Sequence, residues 1–160
     1  MEGNGTDQLE YYLSSLNELG EVLIDADRVE SVGTGILRLT LGTIMASKGA
    51  ILLYNNQDIS LLASRGFELK PQLTPTKEEI KNLKEYSHSH IVYSKKKKTT
   101  TERVKQELVK NKTEIALPLF HKETFLGILC VGKKFMGQKY STVDIKVLEI
   151  VASHLTKALF

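Results

Sequence analysis

The sequence predicts a mixed α/β fold in which a central antiparallel sheet has terminal helices on one face and a variable segment of short helices and loops on the other. Three observations lead to this prediction. Apolar runs of strand length come in two pairs joined by polar turns, an amphipathic helix lies near each end of the chain, and neither strand of the second pair has a polar face. Because a strand without a polar face is buried on both sides, we expect the sheet to be the middle of three layers.

The composition predicts one cytoplasmic domain. The 160 residues fit a flexible tail over residues 1–8 and a single domain over residues 9–160, and 41% apolar with 26% charged residues is typical of globular proteins. The single cysteine, Cys130, has no disulfide partner in the chain, which favours a reducing compartment. No apolar run approaches the roughly 20 residues that span a bilayer, and no signal-peptide pattern is present, so we expect no membrane partner.

Two helices are predicted ahead of the first strand. Apolar residues recur at spacings of three and four over residues 9–23, the pattern of an amphipathic helix. Asp27 and Glu30 then have the spacing of a capping box, which predicts the start of a second helix. We predict that the second helix ends near Lys48 and Gly49, because glycine accepts the left-handed conformation of a C-terminal cap.

The first strand pair is short and clearly punctuated. Residues 50–54 form an apolar run, residues 55–58 are polar and typical of a turn, and residues 59–64 form the return strand. This pattern predicts a β-hairpin.

Residues 67–112 form the variable segment, in which patterns are weaker. Thr76 and Glu79 have capping-box spacing and predict a short helix. Residues 90–93 are consistent with a short strand, and Thr99 opens another sequence that is typical of a short capped helix. We expect this segment to cover the face of the sheet opposite the terminal helices.

The last third of the chain predicts a second hairpin and a long closing helix. Strands are expected over residues 115–120 and 125–132, with an edge or a bulge at Pro118 because proline cannot donate to a ladder. Ser141 and Asp144 predict the start of the helix through a capping box. This helix has two neighbouring apolar stripes, so we expect a second partner besides the sheet, either the N-terminal helix or another subunit.

Three stretches of the chain resemble the GAF domains, which are cytoplasmic sensor modules of signalling proteins. They are SKGAILLYNNQDISLLASRGF at residues 47–67, IALPLFHKETFLGILCVGKK at residues 115–134 and YSTVDIKVLEIVASHLTKAL at residues 140–159. The resemblance covers nearly the whole chain and implies an antiparallel sheet of five or six strands. It also implies a small-molecule pocket under the variable segment, helices that pair with a second subunit, and an output domain in a longer parent protein.

The resemblance does not identify a ligand. Cyclic-nucleotide-binding members share an Asn-Lys, Phe and Asp-Glu signature, and the matching positions here are Gly132, Lys133, Tyr140, Asp144 and Ile145. The asparagine and the glutamate are absent, so cyclic-nucleotide binding is the weaker alternative. No cofactor is assigned.

Other chemistries lack the residues that they need. A single cysteine cannot supply both thiols of the family's methionine sulfoxide reductases, and we expect Cys130 to be a buried, inert thiol. His88 and His90 lie where a haem ligand could sit, but no third residue completes a metal site with them. His154 lies on an apolar face of the last helix, where a packing role is favoured. We therefore expect no catalytic residues and no metal site.

The leading hypothesis is a regulatory sensor that binds a small molecule beneath the variable segment. An apolar sheet face with an irregular cover suits an apolar cleft with few polar groups. Arg65 could pair with an anionic ligand at the mouth of that cleft. The candidate contacts are Arg65, Phe67, Leu83, Tyr93 and Leu117.

The alternative is a ligand-free dimerisation and relay module that acts through its terminal helices. The candidate homodimer interface consists of Leu9, Leu13, Leu16, Leu148, Leu155 and Leu159. We expect no nucleic-acid partner, because the lysine run at residues 95–98 has no interleaved aromatic residues.

Overall fold

The computed structural model describes residues 29–66, 74–86, 91–92 and 113–159, together with helical positions Glu10 and Ser14. Predictions for the tail over residues 1–8, for the rest of the helix over residues 9–23 and for the helix after Thr99 lie outside the described residues.

The described elements alternate between helices and antiparallel hairpins. Two 3₁₀ turns, Lys84–Tyr86 and Phe135–Gly137, lie between them. In chain order the elements are α1 (Val29–Ile44), β1 (Gly49–Asn55), β2 (Asp58–Arg65), α2 (Lys77–Leu83), β3 (Ile91–Val92), β4 (Ile115–His121), β5 (Thr124–Val131) and α3 (Thr142–Leu159).

The sheet has the strand order β2-β1-β5-β4-β3, and every pair of neighbours is antiparallel. Four strands have seven or eight residues, whereas β3 has two and pairs only with Ile115 and Ala116 at the start of β4. The predicted antiparallel sheet is confirmed. The predicted number of five or six strands is not, because only four described strands are of full length.

Both faces of the sheet are buried, as predicted. Side chains alternate along β4, so Leu117 and Leu119 point to one face while Ala116 and Phe120 point to the other. We call the first group the helix-side cluster; its buried members are Val32, Ile36, Leu37, Leu41, Ile44, Ala46, Ile51, Ala63, Ile115, Leu117, Leu119, Leu129, Val131, Val147, Leu148, Val151, Ala152 and Leu155. The second group is the α2-side cluster, with buried members Ala50, Leu52, Ile59, Leu83, Ala116, Phe120, Phe125, Ile128 and Cys130.

Two long helices close the helix-side face together. Helix α1 packs on β1 and β2, α3 packs on β4 and β5, and the two helices contact each other. Among the described elements, the second partner of α3 is therefore α1, the predicted second helix, which was neither of the two partners expected from the sequence. This corrects part of the predicted dimer interface: Leu148 and Leu155 are 0% exposed within the helix-side cluster, so they are not available to another subunit.

Helix α1 ends earlier than predicted. Its last residue is Ile44, and Met45 takes the left-handed conformation with φ 59°. Gly49 instead opens β1, where it pairs with Arg65 and Val131. A Cβ at Gly49 would lie within 2.9 Å of Leu37 and Leu41, so the glycine permits close packing of α1 on the strand.

The capping boxes of α2 and α3 form as predicted, whereas the one predicted at Asp27 and Glu30 before α1 lies outside the described residues. At α2, the Thr76 N–H donates to Glu79 Oε1 at 3.0 Å and the Glu79 N–H donates to Thr76 Oγ1 at 3.1 Å. At α3, the Ser141 N–H donates to Asp144 Oδ2 at 2.8 Å and the Asp144 N–H donates to Ser141 Oγ at 3.1 Å. These bonds satisfy amides that have no partner within the helix.

The predicted irregularity at Pro118 also has a physical basis. Strand β3 pairs only with the first two residues of β4, so within the described part of the chain Pro118 lies beyond the reach of that ladder. The register between β4 and β5 then shifts at Leu119 and Phe120. Opposite this region, Gly127 lies so close to β1 that a Cβ would be 1.9 Å from the Leu52 carbonyl oxygen.

Candidate functional site

The α2-side face of the sheet is the candidate site. Strands β1, β2, β4 and β5 all contribute buried side chains to it, and from the described cover α2 adds Leu83 at 1% exposure with Ile80 packed beside it. The Lys84 ammonium pairs with the Glu123 carboxylate, which links the end of α2 to the turn between β4 and β5. The described part of the cover therefore contacts the sheet through a short helix and the 3₁₀ turn that follows it.

Aromatic rings occupy the hairpin end of this face. The Phe125 ring lies with its centroid 5.0 Å from that of Tyr54 and 5.1 Å from that of Phe120, and both pairs are tilted. Such pairs attract each other beyond the burial of their area. The rest of the α2-side cluster is aliphatic apart from one thiol.

That thiol belongs to Cys130, which is 0% exposed. Burial raises its pKa to about 12, and the neighbouring Thr113 hydroxyl partly opposes the rise. The thiol is therefore protonated at neutral pH, whereas a nucleophilic cysteine needs to be a thiolate. Its environment agrees with the expected inert thiol.

The structure does not bring the predicted ligand contacts together. Leu83 lies in the α2-side cluster, but Leu117 lies in the helix-side cluster, on the opposite face of the sheet. Leu117 is thus a correction: it alternates with Ala116, and only one of the two can face α2. Arg65 is exposed at the end of β2. Phe67 and Tyr93 lie outside the described residues.

A buried ion pair at the start of α3 was missed by the sequence reasoning. Lys134 Nζ lies 2.6 Å from Asp144 Oδ2, and these side chains are 10% and 3% exposed. Lys133, the lysine placed in the signature match, is exposed and is not the partner of Asp144. The signal was present in the sequence, because two lysines precede an acidic capping residue and either one could reach it.

Tyr140 closes the base of the same loop. Its hydroxyl donates to the Gly132 carbonyl oxygen, and the Lys134 ammonium lies 5.8 Å from its ring centroid. Burial, followed by the nearby Glu114 and Asp144 carboxylates, raises the Tyr140 pKa. This tyrosine is therefore a neutral structural donor.

The remaining candidates have separate locations. Leu159 is half-buried against the helix-side cluster, whereas Leu9, Leu13 and Leu16 lie outside the described residues. His154 is half-buried, and burial with the nearby Lys157 charge lowers its pKa.

Two features of the described residues bear on metal and membrane binding. Over those ranges, no three His, Cys, Asp or Glu side chains are grouped so that they could hold a metal ion. The described helices also include none with the length and apolar character needed to cross a membrane. His88 and His90 are outside the described residues.

No protein-family model and no curated protein sequence significantly matches the chain. Solved structures resemble it. The phycocyanobilin-bound GAF domain of a cyanobacterial phytochrome has a TM-score of 0.64 at 13% identity, covering 92% of this chain and 92% of that chain. The GAF domain of a phosphoenolpyruvate-protein phosphotransferase from Coxiella burnetii has a TM-score of 0.62 at 13% identity, covering 92% and 91%.

A third similar structure is the GAF domain of a two-component sensor histidine kinase from Bacillus halodurans. Its TM-score is 0.52 at 18% identity, and the match covers 78% of this chain and 90% of that chain. The three matches are GAF domains of different kinds of protein, and each spans most of both chains. The chain has the GAF-domain fold.

Proposed function

We propose that this chain is a non-enzymatic regulatory sensor domain of a cytoplasmic signal-transduction protein. It binds a small molecule between the α2-side cluster and residues 67–112, and it passes the signal to an output domain through its terminal helices. The observation that carries this proposal is the division of the sheet into a face closed by two long helices and a face whose described cover is one short helix with the 3₁₀ turn that follows it. The GAF-domain fold, which a phycocyanobilin-bound phytochrome domain shares, supports it.

The lining indicates the chemistry of the ligand. The α2-side cluster consists of aliphatic and aromatic side chains, and among the described residues its polar atoms are the Cys130 thiol, the adjacent Thr113 hydroxyl and the hydroxyl of the half-buried Tyr54. A ligand with an apolar body and one or two hydrogen-bonding groups matches this lining. A cyclic nucleotide matches it less well, because burying a phosphate without a paired cation is costly.

Strand β4 offers a route for the signal. Its side chains alternate between Ala116 and Phe120 on the ligand face and Leu117 and Leu119 on the helix-side face. Helix α3 packs directly on this strand. A ligand that shifts β4 by a fraction of an ångström would therefore act on the packing of α3, because close-packed cores transmit strain.

The test is a thermal-shift screen followed by methyl NMR. The screen compares neutral aromatic and aliphatic metabolites with cyclic AMP and cyclic GMP. For any hit, the proposal predicts shifts at α2-side methyl groups such as those of Leu83 and Ile128, with smaller shifts at helix-side methyl groups such as those of Ile36 and Val151. Failure to find a stabilising compound, or shifts confined to the helix-side methyl groups, would count against ligand binding at this face.

A ligand-free relay through a homodimer is the second candidate function. Helix α3 keeps apolar side chains half-buried after it has packed on the sheet and α1, namely Val143, Ile150 and Leu159. A partner helix could cover them. Sedimentation equilibrium at micromolar concentration tests this candidate: a dimer that Ile150→Lys dissociates supports it, and a monomer argues against it.

A further inference from the structure

Three exposed apolar side chains gather where α1 ends and the loop before α3 begins. Met45 is 54% exposed, Phe135 51% and Met136 95%, and they are three of the four large apolar side chains exposed in the described part of the chain. The two loops are joined, because the Phe135 N–H donates to the Met45 carbonyl oxygen at 2.8 Å and Ala46 pairs with Lys134 in an antiparallel bridge. We call Met45, Phe135 and Met136 the apolar tip.

The apolar tip stands on a fixed base. Lys134, adjacent to Phe135, is held by its buried ion pair with Asp144. Met45 and Met136 both have left-handed backbone, with φ 59° and 60°. Residues other than glycine, asparagine and aspartate seldom adopt this conformation, so surrounding contacts must hold the two turns in place.

Lysines accompany the apolar tip on both of the joined loops. Lys133 and Lys139 are exposed on the same loop, and neither forms an ion pair within the described residues. Lys48 is half-buried at the joined loop, where its carbonyl oxygen accepts from the Gly132 N–H at 2.9 Å. The acidic groups nearby are Asp144, which Lys134 neutralises, and Glu114, which is half-buried.

We propose that the apolar tip and its lysines dock peripherally on an anionic lipid surface. Exposed apolar side chains next to lysines fit the boundary between acyl chains and negatively charged headgroups, because the apolar groups insert while the ammonium groups remain in the headgroup layer. Met136, at 95% exposure, projects from a turn, so it suits a deformable surface better than a rigid protein partner that would need a matching recess. The expectation of no membrane partner concerned spanning segments, which a peripheral contact does not require.

Vesicle co-sedimentation of the purified chain tests this proposal, which is independent of the proposed ligand site. The probe is a vesicle of phosphatidylglycerol and phosphatidylcholine, with pure phosphatidylcholine for comparison. We expect binding to the anionic vesicles that weakens as salt rises, since the Debye length shortens to about 8 Å at physiological ionic strength. Met136→Ser should reduce the partition coefficient about tenfold, because the methionine no longer inserts.

Matched variants distinguish binding through the apolar tip from nonspecific hydrophobic adsorption to vesicles. Leu61→Ser makes the same change of polarity at an apolar side chain that is 39% exposed on β2, and it should leave binding unchanged. Lys133→Gln with Lys139→Gln should weaken binding at low salt, whereas Lys77→Gln with Lys157→Gln should have much less effect. Equal binding to neutral vesicles, no binding to anionic vesicles, or equal losses for Met136→Ser and Leu61→Ser would overturn the proposal. The substituted side chains are exposed, so we expect the melting temperatures of the variants to stay unchanged. Unchanged melting temperatures would confirm that the variants are folded.

Discussion

The two faces of the sheet are both buried, but they are closed in different ways. The helix-side face is covered by α1 and α3, which also pack on each other. From the described cover of the other face, α2 contributes Leu83 and Ile80, and an aromatic group lies at the hairpin end. Burial alone therefore does not distinguish a permanent core from a face that can open. The length and mutual packing of the described covering elements differ between the faces, and the proposed function assigns stability to the helix-side face and response to the α2-side face.

The largest expected difference comes from the same truncation made on each face. Leu148→Ala should lower the free energy of unfolding by about 4 kcal/mol, because two long helices and the sheet cannot collapse into the cavity. Leu83→Ala should lower it by about 2 kcal/mol, because a two-turn helix can move inward. Both side chains are at most 1% exposed in the wild type, so burial is matched. Urea denaturation measures the two values, and equal losses would contradict the comparison.

Breaking the ion pair at the start of α3, on the helix-side face, should cause the next largest loss in the free energy of unfolding. Asp144→Asn keeps an oxygen for the cap but leaves the Lys134 ammonium, with its side chain 10% exposed, without its carboxylate. We expect a loss of about 3 kcal/mol, because an unpaired buried charge is costly.

The control for this prediction is the double variant Lys134→Met with Asp144→Asn. It removes the unpaired ammonium and should recover at least about 1 kcal/mol of that loss. Denaturation of the two variants side by side supplies both values. A double variant that is less stable than Asp144→Asn alone would contradict the argument.

The pH dependence of the free energy of unfolding reports on the burial of Cys130 in the α2-side face. The thiol has an ordinary pKa of 9.0 and a pKa of about 12 in the folded chain, so between these values the unfolded state loses its proton while the folded state keeps it. The thiol therefore contributes no instability below pH 9, and above it stability should fall by about 1.4 kcal/mol per pH unit. Cys130→Ala should have a shallower decline between pH 9 and pH 10 in urea denaturation. If the free energy of unfolding declined equally with pH in the wild type and in Cys130→Ala, the thiol would have to be exposed to water in the folded chain.

The smallest expected effects come from the two helix N-caps. These effects differ in how much of the domain they destabilise. Thr76→Ala and Ser141→Ala each remove a hydroxyl that accepts a helix amide, at a cost of about 1 kcal/mol. On α2 that cost should appear as faster amide exchange confined to the helix, with the melting temperature almost unchanged. On α3 it should lower the melting temperature of the whole domain. Thr142→Ala, at an exposed position, is the control for Ser141→Ala.

Local patterns in the sequence predicted the elements because their causes are local. The turn at residues 55–58 and the capping pairs at Thr76 and Ser141 depend on residues a few positions apart, and the structure has all of them. The end of α1 was not predictable in this way. Met45 holds its left-handed conformation beside a bond from the Phe135 N–H, which is far away in the sequence.

The face of the sheet to which each apolar side chain points could not be predicted from the sequence, for a related reason. When both sides of a strand are apolar, alternation shows that Leu117 and Ala116 face opposite ways but not which one faces α2. Likewise, the apolar stripe with Leu148 and Leu155 indicates a partner without identifying it, and α1 was not among the partners expected from the sequence. Pairing Lys134 rather than Lys133 with Asp144 depends on a single position of register between β5 and α3.

Native-state hydrogen exchange at increasing urea concentration tests the central claim, that the α2 side opens separately from the helix side. The informative amides are Ile80 in α2, whose N–H bonds to the Thr76 carbonyl oxygen at 3.0 Å, and Val151 in α3. We predict that Ile80 exchanges through a local opening with a low free energy and a weak dependence on urea, while Val151 exchanges only through global unfolding. Equal opening free energies and equal urea dependence at the two positions would contradict the account.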